Sequence, residues 1–158
     1  MQRILKSIVL ATATVATAGL AFAQQGPKPE DEIRYRQSVM NVIGRAMGPM
    51  GAMALGKAPF NAAVAQKNSA LVETLLALPF GSFGPGTDKG APTKAGPKIW
   101  QEPAKFKEAA ENAQKAVANL AAAAKTGDEG KFKAAFAEVP KSCNGGCHDD
   151  YRLKEFRN

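Results

Sequence analysis

Beyond residue 28 the apolar positions recur every three or four residues, and four helices account for most of them. The first opens at Pro29-Glu30-Asp31-Glu32. A proline in the first turn lacks only an amide hydrogen that the helix would leave unused. The three acids that follow complement the positive end of the helix dipole. Ile33, Met40, Ile43 and Met47 fall on one helical face, with Arg36 on or beside it, where a cation requires a partner. Gly48-Pro49 predicts a kink or an end, after which Met50 to Lys57 can resume the helix.

A second helix is expected from about Pro59, with Phe60, Val64, Leu71, Leu75 and Leu78 as its face and Pro79 as its stop. The Gly/Pro-rich stretch from Phe80 to Pro103 reads as a long crossover pinned by Phe80, Phe83, Ile99 and Trp100. The third helix runs from about Pro103 to Lys125, with Phe106, Ala110, Ala113, Val117, Leu120 and Ala124 in a 3–4 rhythm. After the break at Thr126-Gly127-Asp128, the fourth carries Phe132, Phe136, Val139, Cys143 and Cys147 on one face, turning both cysteines inward. Pro140 weakens it by about 3 kcal/mol and Gly145 and Gly146 by about 1 each, so a kink is expected near Pro140. The pattern predicts an all-α fold, an antiparallel four-helix bundle with one long Gly/Pro-rich crossover between helices 2 and 3.

The N-terminus stands apart from this pattern. Arg3 and Lys6 precede an apolar run from Ile8 to Leu20, and Ala21-Phe22-Ala23 forms a small-residue cleavage site. The run is short for a membrane span. Residues 1–23 are therefore expected to be a cleaved signal peptide, leaving 24–158 as a single domain in the periplasm. Without Arg3 and Lys6 the net charge of +7 falls to about +5. Its lysines are interspersed with acids and form no dense basic block, so no nucleic-acid groove is expected; the charge suits a solvated surface or an acidic redox partner.

Chemistry concentrates in Lys141-Ser-Cys-Asn-Gly-Gly-Cys-His-Asp-Asp-Tyr-Arg152, which holds both cysteines and the only histidine of the chain. Two thiols beside an imidazole suit a covalently attached c-type haem, for which the usual spacing is C-x-x-C-H. Here three residues separate Cys143 from Cys147. A disulfide is the first alternative in an oxidising compartment, because helical positions i and i+4 lie about 6 Å apart, although their side chains diverge. Zinc would want four ligands, and no second pair is present. The adjacent His148 favours haem. Methionine ligation of the iron is chemically open, with Met40 the nearest core-facing candidate. No nucleophile–base pair accompanies the single histidine, so no enzyme activity is expected.

An ordered set of short motifs now gains meaning: Tyr35-Arg36-Gln37-Ser38, Gly56-Lys57-Ala58-Pro59-Phe60, Leu78-Pro79-Phe80, Phe83-Gly84-Pro85-Gly86-Thr87, Ile99-Trp100 and the terminal Cys147-His-Asp-Asp-Tyr-Arg152. From about Pro29 to Arg152 the chain resembles the cytochromes c′, class II c-type cytochromes. The resemblance implies a left-handed antiparallel four-helix bundle, commonly a homodimer through its first two helices, with one haem c per chain. It implies His148 as the axial ligand of a five-coordinate, high-spin iron and Cys143 and Cys147 as thioether positions. Arg36 and Gln37 fall where the family contacts the haem and its propionates, Met40 where an apolar residue blocks the distal face, and Arg152 at a proximal position that helps control gas binding. The family carries two residues between its cysteines. The third residue here turns Cys143 by about 100° on an ideal helix, although the glycines could absorb it as a bulge.

Two functions follow as expectations. One is a haem protein that binds nitric oxide and carbon monoxide and buffers or carries nitric oxide. The other is a periplasmic electron-transfer carrier.

Overall fold

The computed structural model describes residues 26–156; the expected signal peptide lies outside them. Four long helical rods pack in a ring: α1 (Pro29–Ala54), α2 (Ala62–Leu76), α4 (Pro103–Lys125) and a C-terminal rod that begins as α5 (Glu129–Pro140). That rod continues through a π-helical segment (Lys141–His148) into a last short turn, α6 (Asp149–Tyr151). A one-turn helix, α3 (Lys98–Gln101), lies in the crossover between α2 and α4. This is the four-helix bundle, and the described residues contain no strand, only one bridge between Ala95 and Arg152.

The helix α4 matches expectation closely: Pro103 opens it, and Phe106, Ala110, Ala113, Val117, Leu120 and Ala124 are all buried. Short side chains cap the N-termini of α2 and α5. Asn61 accepts from the Val64 amide at 3.0 Å and caps α2; Asp128 accepts from the Lys131 amide at 2.8 Å and caps α5.

Two expectations change. The helix α1 does not end at Gly48-Pro49 but runs through to Ala54. Pro49 is exposed, so the carbonyl it deprives of a partner can turn to water, while Met50 and Met53 anchor the last turns in the core. The expected face of α2 is also turned. Ala65, Ser69, Val72 and Leu76 are its buried positions, whereas Val64, Leu71 and Leu78 are 36%, 40% and 44% exposed. The buried face packs against α1 and α4, and the exposed residues form a second apolar stripe facing outward.

The main core joins Met50, Met53, Val72, Leu76, Val117, Leu120, Phe132 and Val139. A second, smaller cluster at the other end holds Ile99, Phe106 and Tyr151, with Phe80, Phe83 and Trp100 against it. The crossover anchors therefore pack as expected. Met40, Ile43 and Met47, expected as core, are only half-buried, because they border a cavity between the two clusters.

Candidate functional site

The C-terminal rod carries the site. Pro140 keeps helical backbone angles, and immediately after it the helix widens into i→i+5 bonding from Lys141 to His148. Such turns hold more residues than the 3.6 of an α-helix, and they mark functional sites more often than other places. The widening resolves the spacing problem. In C-x-x-C-H the first cysteine lies four residues before the histidine, one α-turn. Here Cys143 lies five before His148, one π-turn. The extra residue and the wider turn offset each other, so the rotation of Cys143 expected for an ideal α-helix does not apply. The turn is uncrowded at residues 145 and 146: a Cβ at Gly145 would meet nothing within 4 Å, and one at Gly146 only the Lys141 carbonyl at 3.7 Å.

Cys143 and Cys147 are free thiols, both half-buried. Cys143 packs against the main core and Cys147 against the aromatic cluster. Burial pushes both thiols up, Cys147 to about 11 with Cys143 and Asp150 adding to the effect and Arg152 opposing it. Both are neutral at physiological pH. Burial, with Arg152 second, pushes the His148 imidazole down to about 4 against the pull of Asp149. It is therefore neutral, the form that ligates a metal. Its Nδ1 lies 3.2 Å from Oδ1 of Asn144.

A cleft in front of these residues has two lobes, of about 370 and 300 Å³, that share Met40, Phe80, Cys147, His148 and Arg152. Together they fall within the range of a small-molecule site, about 300–1,000 Å³. The inner lobe is apolar, lined by Ile43, Met47, Val72, Leu76, Val117, Val139 and Cys143. The outer lobe adds Arg36, Gln37, Thr93, Lys94 and Tyr151. One end thus suits hydrocarbon and the other suits anions, with the thiols and the imidazole along one wall.

Arg36 is 3% exposed, and its hydrogen bonds all run to neutral oxygens of the crossover: Nη1 donates to the Ser82 carbonyl (3.0 Å) and Thr87 Oγ1 (3.2 Å), Nη2 to the Thr87 carbonyl (2.7 Å) and Thr93 Oγ1 (3.3 Å). Its guanidinium also lies 4.4 Å from the centre of the Phe83 ring. Burial lowers its pKa and Glu32 raises it, and an arginine remains charged. A buried cation whose hydrogen bonds all go to neutral oxygens, at the rim of a cleft, favours an anionic group there. Gln37 donates from Nε2 to the Pro92 carbonyl at 2.8 Å. Both residues border the cleft, and both also fasten the crossover, a task the sequence did not reveal.

The crossover closes the outer end. The Gly96 amide donates to the Tyr151 carbonyl at 2.7 Å and the Leu153 amide to the Lys94 carbonyl at 2.9 Å. This places Lys94, Thr93 and Ala95 on the cleft beside Arg152. Sequence reasoning missed Thr93, Lys94 and Tyr151, which sit in or beside irregular backbone without periodicity, and Asn144, whose only signal was its place in the lengthened motif.

A c-type haem fits this donor set: two neutral thiols, a neutral imidazole, an apolar inner slot and cationic groups at the outer rim. The family model for cytochrome c′ matches residues 31–152. Cytochrome c′ of Rubrivivax gelatinosus is 51% identical over 130 residues, covering 82% of this chain and all of the relative. Its crystal structure superposes with a TM-score of 0.77, covering 80% of this chain and 98% of that one. A nitric oxide complex of a mutant cytochrome c prime from Alcaligenes xylosoxidans, 42% identical, superposes with a TM-score of 0.74 over 80% of this chain and 98% of the other. The match spans both the bundle and the thiol–imidazole segment, and the chain belongs to the cytochrome c′ family, whose cofactor is haem c.

Proposed function

We propose that this chain is a periplasmic haem c protein that binds nitric oxide and carbon monoxide and serves to buffer or carry nitric oxide. Haem supplies the iron at which such gases bind. Cys143 and Cys147 form its thioethers, and His148 ligates the iron through Nε2. Arg36 and Lys94 face its propionates from the outer rim. The single observation that carries the gas-binding reading is the composition of the cleft: His148 is its only imidazole, and the residue from α1 that borders both lobes, Met40, is a half-buried side chain packed against the core. With haem bound, Met40 would present hydrocarbon to the cleft and no second imidazole would be available to the iron. Arg152, which borders both lobes, holds positive charge beside His148. The nitric oxide complex solved for the relative from Alcaligenes xylosoxidans supports the same chemistry here.

The test is an absorption spectrum of the reduced protein before and after nitric oxide or carbon monoxide. A high-spin spectrum that changes at stoichiometric gas supports the reading. A low-spin spectrum indifferent to gas would mean that Met40 or another group occupies the sixth position, and would favour the electron-carrier function.

We also propose a homodimer. Tyr35 and Val42 on α1, seven residues apart, are 43% and 45% exposed, and Val64 and Leu71 on α2, with Leu78 just beyond its end, repeat that spacing. Two adjacent helices with outward heptad stripes form a surface that a second copy can match by two-fold symmetry.

A further inference from the structure

The lengthened motif does more than keep Cys143 in register. In C-x-x-C-H the position four residues before the histidine belongs to the first cysteine. Here the extra residue moves that cysteine back by one and places Asn144 at the vacated position. Positions four apart on a helix are neighbours, and the amide oxygen of Asn144 lies 3.2 Å from Nδ1 of His148. We propose that Asn144 is a positioning residue for the iron ligand, its side-chain oxygen accepting a hydrogen bond from Nδ1–H and so presenting Nε2 to the haem. The inference rests on the haem reading above.

The chemistry constrains the direction of the bond. A neutral imidazole carries one N–H, and ligation through Nε2 requires that it be on Nδ1. Nδ1–H needs an acceptor, and an amide oxygen supplies one. Partners of this kind fix ring orientation and raise the electron density that the imidazole offers to the metal. The Asn144 side chain is exposed, borders the inner lobe and lies against His148. Gly145 and Gly146 follow it, so no neighbouring side chain crowds the amide.

The test compares holoprotein of the wild type, Asn144→Ala and Asn144→Asp by resonance Raman spectroscopy of the ferrous state, reading the iron–histidine stretching frequency. Alanine is the best helix former, so the first variant removes the acceptor without weakening the helix. The expected result is a downward shift for Asn144→Ala and an upward shift for Asn144→Asp, whose carboxylate is a stronger acceptor. Reduction potentials should move in step, upward for alanine and downward for aspartate. Equal frequencies in the wild type and Asn144→Ala, or a downward shift in both variants, would overturn the inference. A wild-type chain without covalent haem in the pyridine haemochrome assay would overturn the haem reading and this inference with it; haem of equal content in all three chains confines any failure to Asn144.

Discussion

Arg36 ties the site to the fold. Its guanidinium is buried, and one side chain from α1 holds the crossover at Ser82, Thr87 and Thr93. Hydrogen bonds from a charged group contribute about 1.5–3 kcal/mol each when both partners are buried. Arg36→Leu removes them and leaves buried carbonyls without donors. The expected loss is at least about 2 kcal/mol, read as a lower urea midpoint. Arg36→Lys should recover only part of it, because an ammonium cannot reproduce the planar fork. The need for a partner was legible in the sequence, since an arginine beside a core face cannot stay unpaired. Its partners were not, because they are backbone carbonyls and hydroxyls some fifty positions away on irregular chain. Cys143 can be tested separately. Cys143→Ala should leave the haem attached through Cys147 alone, with the haemochrome band of a single saturated vinyl group; an unchanged band would show that Cys143 forms no bond.

Helical periodicity revealed the elements in proportion to how unambiguous their apolar faces are. It placed α4 and six of its eight buried positions because alanines and lysines leave that helix only one apolar stripe. It read the face of α2 only in part: Phe60 packs on the core and Leu75 is half-buried, but Val64, Leu71 and Leu78, which keep the helical spacing as well as Ala65, Val72 and Leu76 do, are exposed. Hydrophobicity says that a face is covered, not by what. The π-segment was hidden for a different reason: a count based on 3.6 residues per turn cannot register a turn held by i→i+5 bonds. Only the spare residue between the cysteines pointed to it. The crossover has its own critical contact. A Cβ on Gly96 would lie 3.1 Å from the Tyr151 carbonyl oxygen and 3.2 Å from the Arg152 carbonyl carbon and oxygen. All three are backbone atoms and cannot rotate away. Gly96→Ala should therefore cost about 1–3 kcal/mol, the range for overpacking, and loosen the outer rim of the cleft. Gly84→Ala, where a Cβ would meet nothing within 4 Å, is the matched control and should leave thermal stability nearly unchanged. Differential scanning calorimetry of the two variants separates them.

At the scale of the whole molecule, the bundle leaves two apolar surfaces that a lone polypeptide does not fill. One is the cleft between the core clusters; the other is the outward stripe on α1 and α2. The stripe predicts an association that one charge would break. Leu71, near the middle of the α2 stripe, is 40% exposed, so Leu71→Glu should fold as the wild type does yet sediment as a monomer at concentrations where the wild type sediments as a dimer. A wild-type monomer at all concentrations would remove the dimer. The cleft carries the central claim, that both cysteines hold a haem despite their three-residue spacing. The most direct test is the alkaline pyridine haemochrome spectrum after acid–acetone extraction, because the position of its α-band counts the saturated vinyl groups. The account predicts haem that stays with the protein and shows the band of two thioethers. A single-thioether band would contradict the match between the π-turn and Cys143, and haem lost to the acetone would contradict the covalent site altogether.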